Sequence, residues 1–347
     1  MRVTPASSPH NVIRPEWLAL HREAILEPDL VIVDPHHHLW ERAGYRYFPL
    51  DLLDDVNSGH RICSTIYVQS RSMLRARGPA AMAPLGEVEF ANGAAAIGAA
   101  AQYGPTRICH GIVGGADLSS GDAVIPVLEA MIRIAGTRLC GMRNAVAWHA
   151  DPAVASTTAS VPAALMSHAG FRRGAAALAR FGLALDAWAY HTQLDELYEL
   201  ARSIPDVIVV IDHFGGPIGA GPYAHARDAM LTDWRRAMQR LATLPNTRVK
   251  LGGGGMPVLG FGFEREPVPP DSMRLAQAIR PYVEDCIEWF GVQRCMFESN
   301  FPVDKGMFSY HVVWNAFKRI AQGASPDEKA ALFSGTAQAT YRLTSEA

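Results

Sequence analysis

The 347-residue sequence is poor in the features that announce several classes of protein. It has only five cysteines, at 63, 109, 140, 286 and 295, and no CxxC pair. Four of them sit in or beside the apolar runs STIYV, RICHGIV, RLCGM and RCMF, so they read as small buried hydrophobes in a reducing compartment. That excludes a disulfide framework. No segment approaches the eighteen or so apolar residues of a membrane span, and the first thirty residues lack the continuous apolar stretch of a secretory signal. A cytoplasmic protein with no membrane partner is expected. Charge of one sign is not concentrated either: 32 basic residues face 34 acidic ones, for a net charge of −2, and no block suggests nucleic acid. A dinucleotide fingerprint is missing. GGGG at 252–255 lacks GxGxxG spacing and leads into MPVLGFGF instead of a helix; its glycines suit a loop that passes close to a substrate or moves as a lid. The partner that remains is a small-molecule substrate, with self-association into a homo-oligomer left open.

What is present is a rhythm. With 49% apolar residues the chain can bury a large core, and from residue 30 onward short apolar runs alternate with helix-like stretches. The runs are LVIVDPH (30–36), ICSTIYVQ (62–69), RICHGIVG (107–114), RLCGMRN (138–144), LALDAWAYH (183–191), DVIVVIDHFG (206–215), TRVKLGG (247–253) and RCMFESN (294–300). Stretches such as TQLDELYELARSI between them repeat apolar residues at three and four, the helical period. Eight such units predict an α/β fold, a (β/α)8 TIM barrel over residues 30–347, with residues 1–29 as an N-terminal arm carrying a short helix near 15–26. Segments entering the strands are short and those leaving them are long, as in NAVAWHADPAVASTTASVPAALMSHAG. Barrel enzymes build their sites from the loops after the strands.

On that face, histidines accumulate. In DPHHHLW, His36 and His38 are two apart on an extended chain and point to one side, while His37 points away. His191 ends the fifth run, His213 the sixth, and Glu298, Ser299 and Asn300 the eighth. A single histidine at a strand end is more often a packing residue. Four at three strand ends predict a metal site, because neutral imidazole is the commonest protein ligand for divalent transition metals.

DPHHHLW, DHFGGP and VKLGGGG resemble the first-, sixth- and seventh-strand motifs of the amidohydrolase superfamily branch that includes sugar lactonases and 2-pyrone-4,6-dicarboxylate lactonase. GMRN and MFESNFP resemble its fourth- and eighth-strand motifs in altered form, and the likeness runs in one order from about Val31 to Leu343. The resemblance implies a barrel, hydrolysis of lactones or amides or decarboxylation of small acids, and one or two metal ions, though some members use none. It matches His36, His38 and His213 to metal-binding or substrate-polarising histidines, and His191 to the fifth-strand position. Two departures stand out: Asn300 holds the place of a metal-binding, proton-accepting Asp, and Asn144 the place of a His. An amide oxygen can meet a metal but has no basic site near neutral pH.

The missing carboxylate has several candidate replacements. Glu298 is one strand repeat deeper than Asn300, Asp186 and Tyr190 share a parity on the fifth run, Glu87 begins a helix after the second, and Asp304 lies in the eighth loop. Gln69, Tyr190, Lys250 and Trp40 are candidate substrate contacts, and Arg143 suits a carboxylate or an oxyanion. Glu298 paired with Lys250 or Arg143 would be a structural alternative. The expectation is a hydrolase of a lactone, ester or amide in a small organic acid. Zinc, manganese or iron would be held by His36, His38, His191, His213 and Glu87, with Glu298, Asn300, Asp186 and Arg143 at the chemistry. An iron site that activates oxygen, and a metal-free lactonase, are the alternatives. All require His36, His38 and His213 to lie within about 8 Å of one another.

Overall fold

The computed structural model describes residues 9–42 and 45–343. The apolar runs become eight parallel strands: β1 Val31–His37, β2 Arg61–Val68, β3 Arg107–Gly115, β4 Leu139–Arg143, β5 Ala184–Ala187, β6 Val209–Ile211, β7 Thr247–Leu251 and β8 Cys295–Phe297. Each strand pairs with the next one along the chain. The ring closes just beyond β8, where His38 N–H donates to the Phe301 carbonyl at 2.7 Å and Asn300 N–H to the His36 carbonyl at 3.0 Å. The major helices follow in alternation: α1 Pro49–Val56, α2 Leu85–Ala99, α3 Ile125–Ala135, α4 Ala169–Ala177, α5 Leu194–Ser203, α6 Arg227–Ala242, α7 Ser272–Phe290 and α8 Tyr310–Ile320. The architecture is a (β/α)8 barrel.

Amphipathic spacing decides which side each helix turns inward. In α5, Leu194, Leu197, Leu200 and Ala201 are buried because residues three and four apart share a helix face. Strand parity does the same inside the barrel, where Val33, Val113, Val210 and Met296 pack together. The bottom is plugged from the C-terminal helix Thr336–Tyr341: the Tyr341 hydroxyl donates to the buried Asp186 carboxylate at 2.8 and 3.0 Å.

The structure trims several predicted elements. β5, β6 and β8 stop three or four residues early because the histidine and Glu-Ser-Asn segments leave the sheet in turns. His213 and Phe214 have φ of 53° and 56°, and Asn300 of 53°, values far from the extended region. The N-terminal helix is only Pro15–Leu18. Beyond it the chain runs on without helix or strand to β1 and is held by α8, with Asn315 accepting from Leu26 N–H at 2.9 Å and Lys318 Nζ donating to the Leu26 and Glu27 carbonyls. All five cysteines are free, and among the described residues no helix is long and apolar enough to cross a membrane.

Removing the Tyr341 hydroxyl should weaken the plug while leaving the upper face intact. Tyr341→Phe is expected to lower unfolding stability by roughly 1.5–3 kcal/mol, the value of a hydrogen bond to a charged group, read as a lower urea midpoint at unchanged slope. An unchanged midpoint would show that the plug contributes nothing.

Candidate active site

Pro35 places the histidines. The β1–β2 register slips between Asp34 and His37, as expected where a proline interrupts a ladder. After the slip His36 and His38 face the barrel interior. His37 faces the helices instead, where its Nε2 pairs with the Thr65 hydroxyl at 2.8 Å. Asp34 is structural: Ser299 N–H, the Ser299 hydroxyl and the Tyr310 hydroxyl all donate to it, at 3.0, 2.6 and 2.9 Å, tying β1 to the loop after β8. Burial pushes its carboxyl up to about 6, against those donors.

The imidazoles converge. His36 and His38 have ring centroids 4.9 Å apart, and His36 and His213 4.6 Å, well inside the roughly 8 Å limit. Glu298, fully buried, accepts from His213 Nδ1–H at 2.6 Å and has its other oxygen 2.8 Å from His36 Nδ1. With Nδ1 on Glu298, His213 presents Nε2 to the chamber above. His38 does the same, its Nδ1–H donating to the Val68 carbonyl at 2.8 Å. The His36 and His38 Nε2 atoms are 3.3 Å apart. Two bare nitrogens do not approach so closely without a proton or a cation between them, and a tetrahedral ion with bonds of about 2.0–2.1 Å would hold its two nitrogens at roughly this spacing. Burial, then Lys250 and neighbouring imidazoles, hold His36 well below the ordinary imidazole range; burial, then Arg143, does the same to His38. Both are therefore neutral. His36, His213 and Glu298 offer ligand atoms within 4.8 Å of one another, the spacing of a divalent metal site.

Two cations flank this cluster. Arg143 Nη1 lies 3.3 Å from His36 Nε2 and 3.5 Å from Asp212, and its Nη2 donates to the Gln69 carbonyl. Lys250 is buried beneath, 2.6 Å from Asp186, 3.4 Å from Asp212 and 3.3 Å from His36 Nδ1. Burial depresses its pKa, but Asp186, Asp212 and Glu298 outweigh that and raise it. It is an ammonium fixed among carboxylates.

Asn300 has a defined pose. Its Nδ2 donates to Asp304 at 2.8 Å, and Asp304 also accepts Gly255 N–H at 2.9 Å. The amide oxygen is thereby left over, buried and without a donor, and the residue lines the chamber. Asp304 thus acts through Asn300, and burial holds its carboxyl well above the usual range. The glycine run serves the same packing: a Cβ at Gly252 would overlap Glu298, one at Gly253 would sit 2.7 Å from His213 Cβ, and one at Gly255 2.5 Å from Asp304 Cα. This replaces the expected lid or substrate-passing loop.

The chamber, about 90 Å³, is lined by His38, Gln69, Arg143, Trp188, His213 and Asn300 among others, and Trp40, stacked on His38 at 5.4 Å, forms one wall. A lobe of about 390 Å³ adjoins it past Gln69 and Arg143. Other expected residues are engaged in structural contacts, Glu87 at the edge of that lobe. Glu87 accepts from the Tyr67 and Ser70 hydroxyls and from Ser70 and Ser72 N–H, holding the loop after β2. His191 accepts Ile218 N–H at 3.2 Å, packs on Tyr223 and belongs to no ligand cluster among the described residues. The Tyr190 hydroxyl is engaged by Ser156 and Val154 and lines a neighbouring cavity. Asp186 and Lys250 neutralise each other below the chamber floor. Sequence reasoning missed Asp212, which parity with Val210 would have placed inward, and Trp188, which shares the parity of Asp186.

The neutral buried imidazoles set a pH dependence of stability. His37 is depressed to about 3, and His60 and His191 to about 4, in each case chiefly by burial. Unfolding restores the ordinary value of 6.5, so below that pH the unfolded chain binds more protons and stability falls with pH. Five buried carboxyls, Asp34, Asp55, Glu87, Asp186 and Asp304, are raised by burial and act oppositely, but they stand against seven depressed imidazoles, since His10, His36, His38 and His311 are lowered as well. The melting temperature should therefore be highest above pH 6.5 and drop steadily toward pH 4. A flat or rising profile on acidification would contradict buried neutral histidines.

Comparison with known proteins agrees with this geometry. The model of the Amidohydrolase family matches residues 33–343. Protein y4mH of Sinorhizobium fredii, whose function is uncharacterized, is 34% identical over 331 residues, covering 91% of this chain and 99% of that protein. An L-fucono-1,5-lactonase of Burkholderia ambifaria is 33% identical over 165 residues, 46% of this chain and 50% of the enzyme. A zinc-bound amidohydrolase crystal structure from Burkholderia multivorans superposes with a TM-score of 0.68 at 26% identity, covering 90% of this chain and all of that one. The barrel, the strand-end histidines and a family match across nine-tenths of the sequence establish that this chain belongs to the amidohydrolase family.

Proposed function

We propose that this hydrolase is a lactonase acting on a small sugar-acid or organic-acid lactone, with one divalent ion, zinc by preference. The observation that carries the metal is the 3.3 Å separation of the His36 and His38 Nε2 atoms, in a chamber that His38 lines together with Asn300, whose buried oxygen has no donor. His36, His38 and Asn300 would hold the ion. When bound it would act as a Lewis acid toward the substrate carbonyl and make water more acidic. A single ion is favoured because the Lys250 ammonium already occupies the carboxylate cluster below.

The remaining roles follow from this chain's own side chains. His213, oriented by Glu298, is the group at the chamber wall able to take a proton from water through Nε2, and Glu298 stabilises the imidazolium that results. The charge balance supports this: among the described residues Asp186, Asp212 and Glu298 face two fixed cations, Lys250 and Arg143, besides the imidazoles, so the cluster has one negative charge in excess to offset a protonated His213 or a cation. Arg143, held by Gln69 and Asp212, is placed to stabilise an oxyanion. Asn300 orients without accepting a proton. A second reading, a metal-free lactonase, draws on the Arg143 guanidinium at 3.3 Å from His36 Nε2, which places positive charge at the same point.

Metal analysis of the purified protein with a lactone screen tests both. The expected result is about one zinc per chain and turnover lost with chelator. His38→Asn should then lose the metal, whereas Glu298→Gln should retain it and lower kcat at least 100-fold, the scale of general-base loss. Lactone turnover that survives chelation would favour the arginine reading. Iron accompanied by oxygen uptake would overturn both.

A further inference from the structure

The outer wall of the chamber is made by a segment that lies before the family match begins at residue 33. The N-terminal arm is strapped to the loop after β7, with Arg14 Nη2 donating to the Glu264 carbonyl at 2.6 Å and Trp17 Nε1 to the Glu266 carbonyl at 3.0 Å. Its Asn11 packs against Gly306, where a Cβ would come within 2.5 Å. The strap carries His10 over the site. The His10 ring lies parallel to Trp40, tilted by 7° at 6.0 Å, while Trp40 stacks on the candidate metal ligand His38.

Under the strap is a polar cavity of about 120 Å³, lined by Pro9, His10, Arg42, Ser70, Arg71 and two threonines, 157 and 158. It shares His10, Arg42, Ser70, Arg71 and Thr157 with the chamber, so one molecule can occupy both. Among the described residues no carboxylate lines it. Arg42 is half-buried, its guanidinium 3.8 Å from the Trp40 ring centroid and one nitrogen donating to the Ser70 carbonyl at 3.2 Å. Among the described residues neither Arg42 nor Arg71 has an ion-pair partner. A guanidinium withdrawn from water is costly until an anion meets it, and its planar fork matches a carboxylate. Arg71 stands at a φ of 62°, a left-handed conformation that a side chain adopts at some cost and that recurs at binding sites.

We propose that this cavity is a carboxylate subsite: the substrate is a lactone whose far end bears a carboxylate, held by Arg42 and Arg71 beneath the N-terminal arm while its ring carbonyl meets Arg143. The proposal builds on the lactonase reading but is tested apart from it. An open-chain aldarate such as galactarate has carboxylates and no scissile bond, and its binding can be followed by calorimetry. It should bind the full-length protein, and Arg71→Gln should weaken it at least tenfold. In turnover, the kcat/KM ratio between an aldarolactone and neutral L-fucono-1,5-lactone should fall at least tenfold in the same variant, and His10→Ala should move that ratio in the same direction. Failure of galactarate to bind, or equal affinity in wild type and Arg71→Gln, would overturn the subsite. Arg71-dependent binding without hydrolysis of any lactone would keep the subsite and sink the lactonase reading.

Discussion

A carboxylate at the centre of an apolar barrel is stable only with partners, and the upper half of this protein is organised around supplying them to Glu298. Its two oxygens meet imidazoles from β1 and from the turn after β6. The absence of a side chain at Gly252 leaves room for it, and Lys250 sits among the carboxylates beneath. Each partner has a second attachment: Lys250 to Asp186, Asp186 to Tyr341, His36 to Arg143. The floor of the site and the plug of the barrel are therefore one network of buried charge. Such networks hold only when every member is satisfied. Asn300 Oδ1 and Gln69 Oε1 are buried without a hydrogen-bond partner on residues that line the chamber, where a ligand could complete them.

The departure of Asn300 from the family pattern has a structural counterpart. Asp304, four residues on, receives the amide N–H2 and fixes which end of Asn300 faces the chamber. An acidic group has in effect moved one turn back from the cavity. What stays at the front is an oxygen acceptor with no basicity, so proton transfer falls to the His213–Glu298 couple. The positive φ of both His213 and Asn300 fits this picture, since strained backbone at a site persists where the surroundings over-determine it.

Much of the barrel was legible in the sequence because it rests on repeated local signals. Apolar runs in steps of two and helices in steps of 3.6 need no knowledge of the partner to be recognised. The outward direction of His37 was legible for the same reason. The hydrogen bonds that Glu87, His191 and Tyr190 make to loops were not legible, because a polar residue near a strand end can satisfy a loop's backbone as readily as a ligand, and local pattern does not distinguish the two. In the sequence the glycine run reads as a lid or a loop passing close to a substrate, because its packing partners Glu298, His213 and Asp304 come from segments remote in the chain.

The sequence by itself determined the strand order and the face on which the histidines gather, both properties of residue type and periodicity, while the loss of a basic group at Asn300 was implied by the family resemblance. Only the tertiary structure decided that Glu298 serves His213, that Lys250 and Asp186 cancel below the floor, and that the N-terminal arm brings His10 to the rim. Those outcomes depend on distances between segments remote in the chain. Electrostatic interaction energies change steeply with distance and burial, and neither quantity is encoded in any local stretch.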